Sequence, residues 1–299
     1  MAASSGNLAR LRQSVEHSWA YRTYRQSLLY VALRRHGKRL KLAVKLRRYL
    51  GTDYQCPVCG VGLRAFRPIG KSYWRDFKRF GAIHPPAAME TFNVAAYACP
   101  RCDASDRERL TAIYLEQTFR CFDPRRTYRL IEFAPNRELA KKIKSYPFIA
   151  YRSADLSRKS VDERVDLAAM TGYADATIDI ILCSHVLEHV AEDRKAMREI
   201  CRVLKPDGFA VILVPIVLGV EETHEDPSIT TEAMRWKYFG MGDHVRQYGR
   251  RDFIARLQDA GLDVEPIGIE RFGVETFRRA GIAESSVLYV VRPRGQSRP

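Results

Sequence analysis

Two Cys-x-x-Cys pairs, Cys56-Pro-Val-Cys59-Gly60 and Cys99-Pro-Arg-Cys102, are the residues of this chain whose type and spacing most directly imply chemistry. The proline after the first cysteine of each pair favours a tight turn that points two thiolates at one metal. Four soft thiolates in a tetrahedron suit zinc, with iron in a rubredoxin-like site and two unrelated reduced pairs as the alternatives. With Cys56, Cys59, Cys99 and Cys102 all engaged, no position is left for water, so the ion is expected to be structural. His84 could replace one thiolate, but it precedes Pro85-Pro86 and reads as a surface-loop residue. The 39-residue spacer carries Tyr73, Trp74, Phe77, Phe80, Phe92 and Tyr97, enough aromatic mass for a small satellite core. Cys121, Cys183 and Cys201 read as small buried side chains.

A second group, Ser184, His185, Glu188 and His189, follows immediately on the apolar run Ile178-Asp-Ile-Ile-Leu-Cys183. Such a run suits a strand buried on both faces, and the carboxyl edge of such strands is where open α/β sheets bind ligands. A helix through residues 195–203, a Lys205-Pro-Asp-Gly208 turn and a strand over 209–215 come next. Upstream, Tyr128-Arg-Leu-Ile-Glu-Phe-Ala134 reads as a first strand, 137–145 as its helix, 148–151 as a second strand and 164–168 as a short connection. Downstream, a helix over 251–261 with a glycine stop, a strand at 262–266 and an apolar strand at 286–291 close the pattern.

At 299 residues and 46% apolar composition, the chain can bury a full α/β core and still carry an appendage. The net charge of +15 is uneven: residues 1–50 hold twelve Lys and Arg against the single acid Glu16. That arm reads as a cationic amphipathic helix broken near Gly37, fit for an anionic membrane, for nucleic acid, or for packing on the main domain. No run of eighteen apolar residues and no secretory pattern occurs, so the expected location is cytoplasmic or peripheral to the membrane's inner face. Seven cysteines, four of them in close pairs, fit metal binding better than disulfides. The expected partition is a basic arm (1–50), a zinc-binding module (51–105), a connecting helix (106–127) and an α/β domain (128–299).

The acidic residue, apolar strand, "His-Val-Leu-Glu-His" loop and "Arg-Val-Leu-Lys-Pro-x-Gly" of residues 178–208 resemble the class I S-adenosylmethionine-dependent methyltransferases. The upstream Cys-Pro-x-Cys pairs, "Ser-Asp-Arg-Glu-Arg-Leu" at 105–110 and "Glu-Phe-Ala-Pro-Asn" at 132–136 resemble a bacterial subgroup often found with polysaccharide-assembly genes. The resemblance spans residues 54–265. It implies a Rossmann-like, mostly parallel sheet with an antiparallel last strand and S-adenosylmethionine as cofactor. It further implies a cofactor site at Glu132, Ala134 and Pro135, with Asp155 on the ribose, Asp166 and Leu167 at the adenine, and Ser184 with His185 beside the methyl donor. The family's Gly-x-Gly loop is absent after the first strand, which argues against a dinucleotide, whose pyrophosphate needs those glycines.

Methyl transfer is an in-line displacement that requires placement of the acceptor and, for a hydroxyl, a base. The base candidates are His185, Glu188, His189, His224, Glu225, Asp226 and His244, with His185 first because it lies nearest the expected donor. The insertion over 224–249 is expected to be the acceptor lid. Its Asp243-His244-Val-Arg246 run is expected to bind a sugar or phosphate. A small-molecule or glycan acceptor methylated at oxygen is the leading expectation. An RNA-directed methyltransferase, or an RNA binder with a degenerate cofactor site, is the alternative, distinguished by co-purifying nucleic acid and steep salt dependence.

Overall fold

The computed structural model describes residues 46–295, so all but the last five residues of the basic arm lie outside the described residues. From Gly51 onward the chain forms one compact unit. Its centre is a seven-stranded sheet of β3 (Tyr128–Phe133), β4 (Ile149–Asp155), β5 (Glu163–Arg164), β6 (Ile178–Ser184), β7 (Leu204–Leu213), β8 (Leu262–Ile267) and β9 (Leu288–Pro293). The strand order is β5-β4-β3-β6-β7-β9-β8. All pairings from β5 to β7 are parallel, while β9 runs antiparallel to both neighbours. This is the Rossmann-like sheet with a reversed last strand that the sequence implies.

β6 is the central strand, and its residues 178–183 are all buried, the two-sided burial that the apolar run requires. Its one internal charge, Asp179, is matched: it accepts from Lys205 Nζ, from an Arg126 guanidinium nitrogen at 2.7 Å and from the Arg129 backbone N–H. The Lys-Pro-Asp-Gly segment is drawn into β7 rather than standing as a separate turn, with a register irregularity between Ile178 and Ile180. Gly208 is required there, because a Cβ at that position would lie 2.8 Å from the Asp179 carbonyl oxygen.

The flanking helices are α1 (Lys71–Phe80), α2 (Asp106–Phe119), α3 (Arg137–Lys144), α4 (Asp193–Val203), α5 (Glu232–Phe239), α6 (Arg250–Asp259), α7 (Ile269–Phe272) and α8 (Val274–Ala280). α2 starts at a capping box in which Ser105 and Glu108 satisfy each other's backbone N–H groups. α3 starts at Asn136, whose side chain accepts from the N–H groups of Glu138 and Leu139. The 224–249 insertion, expected to be the acceptor lid, contains α5. The third strand expected only as a connection is the two-residue β5. Among the described residues no helix is long and apolar enough to cross a membrane.

The cysteine-bearing segment contributes the small sheet β1 (Leu50–Gln55) with β2 (Gly62–Leu63) and packs on the main sheet's layers through Arg109 of α2. The Arg109 guanidinium is fully buried and donates to the carbonyls of Ala96, Tyr97, Ala104, Ala280 and Gly281, with Phe66 stacked on it at 4.0 Å. One side chain thus joins the spacer, the second cysteine turn and the end of α8. Replacing it by an apolar residue leaves the Ala96, Tyr97 and Ala280 carbonyls without this donor, each costing about 1–3 kcal/mol when buried, while Ala104 keeps the Cys99 N–H and Gly281 keeps Asn93 Nδ2. Arg109→Met is therefore expected to lose more than about 3 kcal/mol in urea unfolding, and a loss under about 1 kcal/mol would show that this anchor is dispensable.

Candidate functional site

The four cysteines converge although 39 residues separate the pairs. Cys56 Sγ lies 3.7 Å from Cys102 Sγ, and Cys59 Sγ lies 3.8 Å from Cys99 Sγ. A regular tetrahedron around an ion with bonds near 2.3 Å has edges of about 3.8 Å, so the donor set fits a four-coordinate ion. His84 is not part of this cluster. Of the other cysteines, Cys183 is buried as expected, but Cys121 is exposed and Cys201 only partly covered. Cys121 lies past the end of α2, where no element covers it.

The carboxyl ends of β3 and β6 stand side by side because Phe133 pairs with Cys183 and Glu132 with Leu182. The chain turns outward to β4 on one side of β3 and returns to β6 on the other, which makes this the sheet's topological switch point. A cavity of about 130 Å³ opens there, lined by Glu132, Ala134, Ser184 and His185 together with Arg107 and Glu108 of α2. Pro135, Asp155, Asp166 and Leu167 are not among its lining residues. Asp155 accepts from the backbone N–H groups of Ser157 and Arg158 and pairs with the Arg158 guanidinium, which also donates to the Pro135 carbonyl. Asp166 caps its own turn at Ala168, and Leu167 is buried. The 164–167 segment adjoins Asp155 because Asp155 and Arg164 pair across β4 and β5.

Two loop residues adopt left-handed backbone: Ala134 at φ +49° and His185 at φ +54°. Ala134 holds the conformation that a glycine would take more cheaply, so the loop keeps its path without the glycines. Glu132 braces it, accepting from the Asn136 N–H at 3.0 Å and from the Tyr151 hydroxyl at 2.6 Å. Burial pushes the Glu132 carboxyl up to about 7.

A second cavity of about 370 Å³ lies against the first, and both His185 and Arg107 line the two of them. Its walls include His189, Phe239 and His244, but also Tyr73, Phe92 and Tyr97 from the spacer between the cysteine pairs. The expectation that the 224–249 insertion alone supplies this wall is therefore corrected: the spacer's aromatics are shared between packing and the cavity. The missed signal is the continuity of 105–110 with the spacer, since α2 carries Arg107 and Glu108 straight to the carboxyl edge of the sheet. Arg107 Nε is buried and donates no hydrogen bond.

Among the base candidates, His185 Nδ1 lies 3.2 Å from Glu188 Oε1. Burial and then the Arg107 guanidinium hold His185 below its ordinary value, so at neutral pH the imidazole is uncharged. Burial opposes charge on Glu188, but the facing imidazoles outweigh it and hold the carboxyl below its usual range. Burial likewise lowers His244, whose Nδ1 donates to the Phe239 carbonyl at 3.1 Å. His224 packs edge-on against Tyr238 and Phe239. Asp226 caps a turn at Ser228.

Two expectations fail here. Arg246 is buried and donates to the carbonyls of Leu187, Val190 and Ala191 and to Glu225, so it holds the 185–191 loop and is not free for a sugar or phosphate. Glu225 is committed to Arg256 and Arg246, which pull its carboxyl down to about 2 and remove it as a base. Asp193 completes this network, accepting from Arg256 and from the Tyr248 hydroxyl.

A family profile described as "Methyltransferase domain" matches residues 99–267. An "Uncharacterized methyltransferase" of Mycobacteroides abscessus is 31% identical over 108 residues, 36% of this chain and 39% of that protein. One of Mycolicibacterium gilvum is 42% identical over 53 residues, 18% of this chain and 21% of that protein. The chain thus matches well under half the length of these curated relatives. Among solved structures, the Bacillus subtilis YcgJ protein is 17% identical with a TM-score of 0.39, covering 60% of this chain and 98% of its own. The Burkholderia thailandensis 1,6-didemethyltoxoflavin-N1-methyltransferase, solved with S-adenosylhomocysteine, is 14% identical with a TM-score of 0.39, covering 62% and 75%.

Because the folded state keeps Glu132 protonated up to about 7 while the unfolded chain ionises near its ordinary value, this group's contribution is complete at low pH. It is lost as pH rises toward and through 7. Glu132→Gln cannot ionise, so its stability relative to the parent is expected to rise by about 2–3 kcal/mol between pH 5 and pH 8. A difference that does not change with pH would show that Glu132 is already charged in the fold.

Proposed function

The chain belongs to the methyltransferase domain family, and from that membership we propose that it is a class I S-adenosylmethionine-dependent methyltransferase acting on a small-molecule or glycan-type acceptor at oxygen. The observation that carries this reading is the pair of adjoining cavities at the switch point, with His185 lining both. The smaller one takes the methionine part of the cofactor between Ala134 and Ser184. Arg107, whose guanidinium lines both cavities and whose Nε lies 3.4 Å from Glu108 Oε1, is placed to receive its carboxylate. Along the same edge the ribose reaches Asp155 once Arg158 swings aside, and the adenine lies by Asp166 and Leu167. When bound, the cofactor supplies an electrophilic methyl group. His185 stands between that methyl and the acceptor cavity, where an uncharged imidazole accepts the proton of an acceptor hydroxyl.

The larger cavity accounts for the acceptor class. Its wall combines Tyr73, Phe92 and Tyr97 with His189 and His244, a mixture of aromatic faces and imidazole acceptor nitrogens that suits a hydroxylated ring compound. The four cysteines hold one structural zinc, supported by their tetrahedral spacing, and the ion fixes the turns from which the spacer aromatics and α2 project.

Calorimetry with S-adenosylhomocysteine tests the cofactor assignment. Asp155→Asn, which keeps an acceptor for the Ser157 and Arg158 N–H groups, is expected to weaken binding by about 1–3 kcal/mol, the scale of a hydrogen bond to a charged group. Absence of binding at millimolar ligand in the parent would reject the enzyme reading, and unchanged affinity in the variant would remove Asp155 from the site. For zinc, elemental analysis is expected to give one ion per chain at the cysteines, and Cys99→Ser to lower thermal stability; protein free of both zinc and iron would refute the metal.

A further inference from the structure

We propose a second metal site, formed by Glu188, His189 and His244 in the wall of the larger cavity, that takes a divalent first-row transition ion with imidazole and carboxylate ligands. One ligand atom from each of the three lies within 4.8 Å of the others. Glu188 is fully buried, and its carboxylate oxygens make no hydrogen bond of regular geometry, the nearest donor being the uncharged His185, whose Nδ1 lies 3.2 Å from Oε1. A buried anion in that condition is costly unless a cation meets it. His244 Nε2 faces Glu188 Oε1 at 3.9 Å. Its Nδ1 contacts the Phe239 carbonyl at 3.1 Å, an acceptor only, so Nδ1 carries the hydrogen and Nε2 presents its lone pair. His189 repeats the device, with Nδ1 3.4 Å from the Asp243 carbonyl. Metal-binding imidazoles are fixed in this way, by an outer hydrogen bond from the nitrogen that does not ligate. The two rings meet edge to face at 4.8 Å between centroids.

Ligands sharing an ion with bonds of about 2.0–2.2 Å lie about 3–4 Å apart, so the set closes on a metal by about an ångström. Two imidazoles and one carboxylate leave coordination positions open, unlike the four cysteines, and those positions face the cavity assigned to the acceptor. The metal's role in catalysis rests on the proposed methyl transfer; its binding does not. There, an acceptor hydroxyl held at the ion would give its proton to His185, its oxygen would form a bond to the methyl carbon, and the carbon–sulfur bond would break with its electron pair going to sulfur. No oxidation state changes.

Mn²⁺ separates the two metal sites, because thiolates favour zinc and leave manganese to nitrogen and oxygen donors. Loss of the free Mn²⁺ paramagnetic resonance signal on adding full-length zinc-loaded protein, without cofactor, is expected to show one Mn²⁺ per chain. His189→Ala, at a partly exposed position, and Glu188→Gln are each expected to weaken it at least tenfold. Thermal melting in each variant checks that the fold is kept, and His189→Gln serves if His189→Ala unfolds. No Mn²⁺ uptake by the parent, or uptake unchanged in folded His189→Ala or His189→Gln, overturns the site. Mn²⁺ uptake without S-adenosylhomocysteine binding would sink the methyltransferase reading and leave the metal site standing; the reverse would do the opposite.

Discussion

The parallel pairing of β3 with β6 is the constraint on which the rest depends. Its register sets Phe133 beside Cys183, and therefore Ala134 beside Ser184, with His185 one residue past the end of β6 and its N–H held by the Leu213 carbonyl. A slip by one residue would turn every side chain of a two-sided buried strand to the other face. Asp179 secures the register from the opposite end by holding Arg126, Lys205 and the Arg129 N–H at the strand entrance. Both loops that follow pass through left-handed backbone at non-glycine residues, Ala134 and His185. Conformations of that kind persist where the surrounding structure over-determines them, and they cluster where side chains must be aimed.

The larger cavity is built by a different means. Its floor is the 185–191 loop, and that loop is held by charge: Arg246 spans the Leu187, Val190 and Ala191 carbonyls and Glu225, while Arg256 joins Glu225 to Asp193. Its far wall comes from the cysteine-bearing segment, where α1 meets α5 through Phe80 stacked on Trp236 at 5.6 Å. Arg109 ties that segment to α8, so the segment acts as a cavity wall as well as the carrier of the four-cysteine cluster. A larger cavity of about 540 Å³, lined by Tyr114, Asp179, Asp207 and Phe209, lies at the amino ends of the strands. Open sheets of this type bind at the other edge, and it contains none of the loop residues that the register brings together.

The sheet order and the cysteine cluster were legible because each leaves a periodic or spaced mark: an apolar strand buried on both faces, a reversed final hairpin, and two matched cysteine turns. Glu132, Ala134, Ser184 and His185 were legible as candidates because they stand at or just beyond the carboxyl ends of strands. What escaped depends on contacts distant in sequence. Arg107 and Glu108 read as ordinary charges in a helix start until the fold carries α2 to the strand ends. Tyr73, Phe92 and Tyr97 have the same composition whether they fill a core or line a cavity. Arg246 and Glu225 look like loop polar groups, and only their contacts in the fold reveal that each is already paired. Cys121 reads as buried by residue type, but the chain passes it without covering it.

Hydrogen exchange with and without S-adenosylhomocysteine locates the cofactor most directly. The account predicts slowed exchange at the backbone amides of 133–139 and 184–189, with smaller protection at 155–158 and 166–168, and no change along the groove of Tyr114, Phe209 and Arg271. Protection confined to that groove, with exchange at 133–139 and 184–189 unaltered, would contradict it.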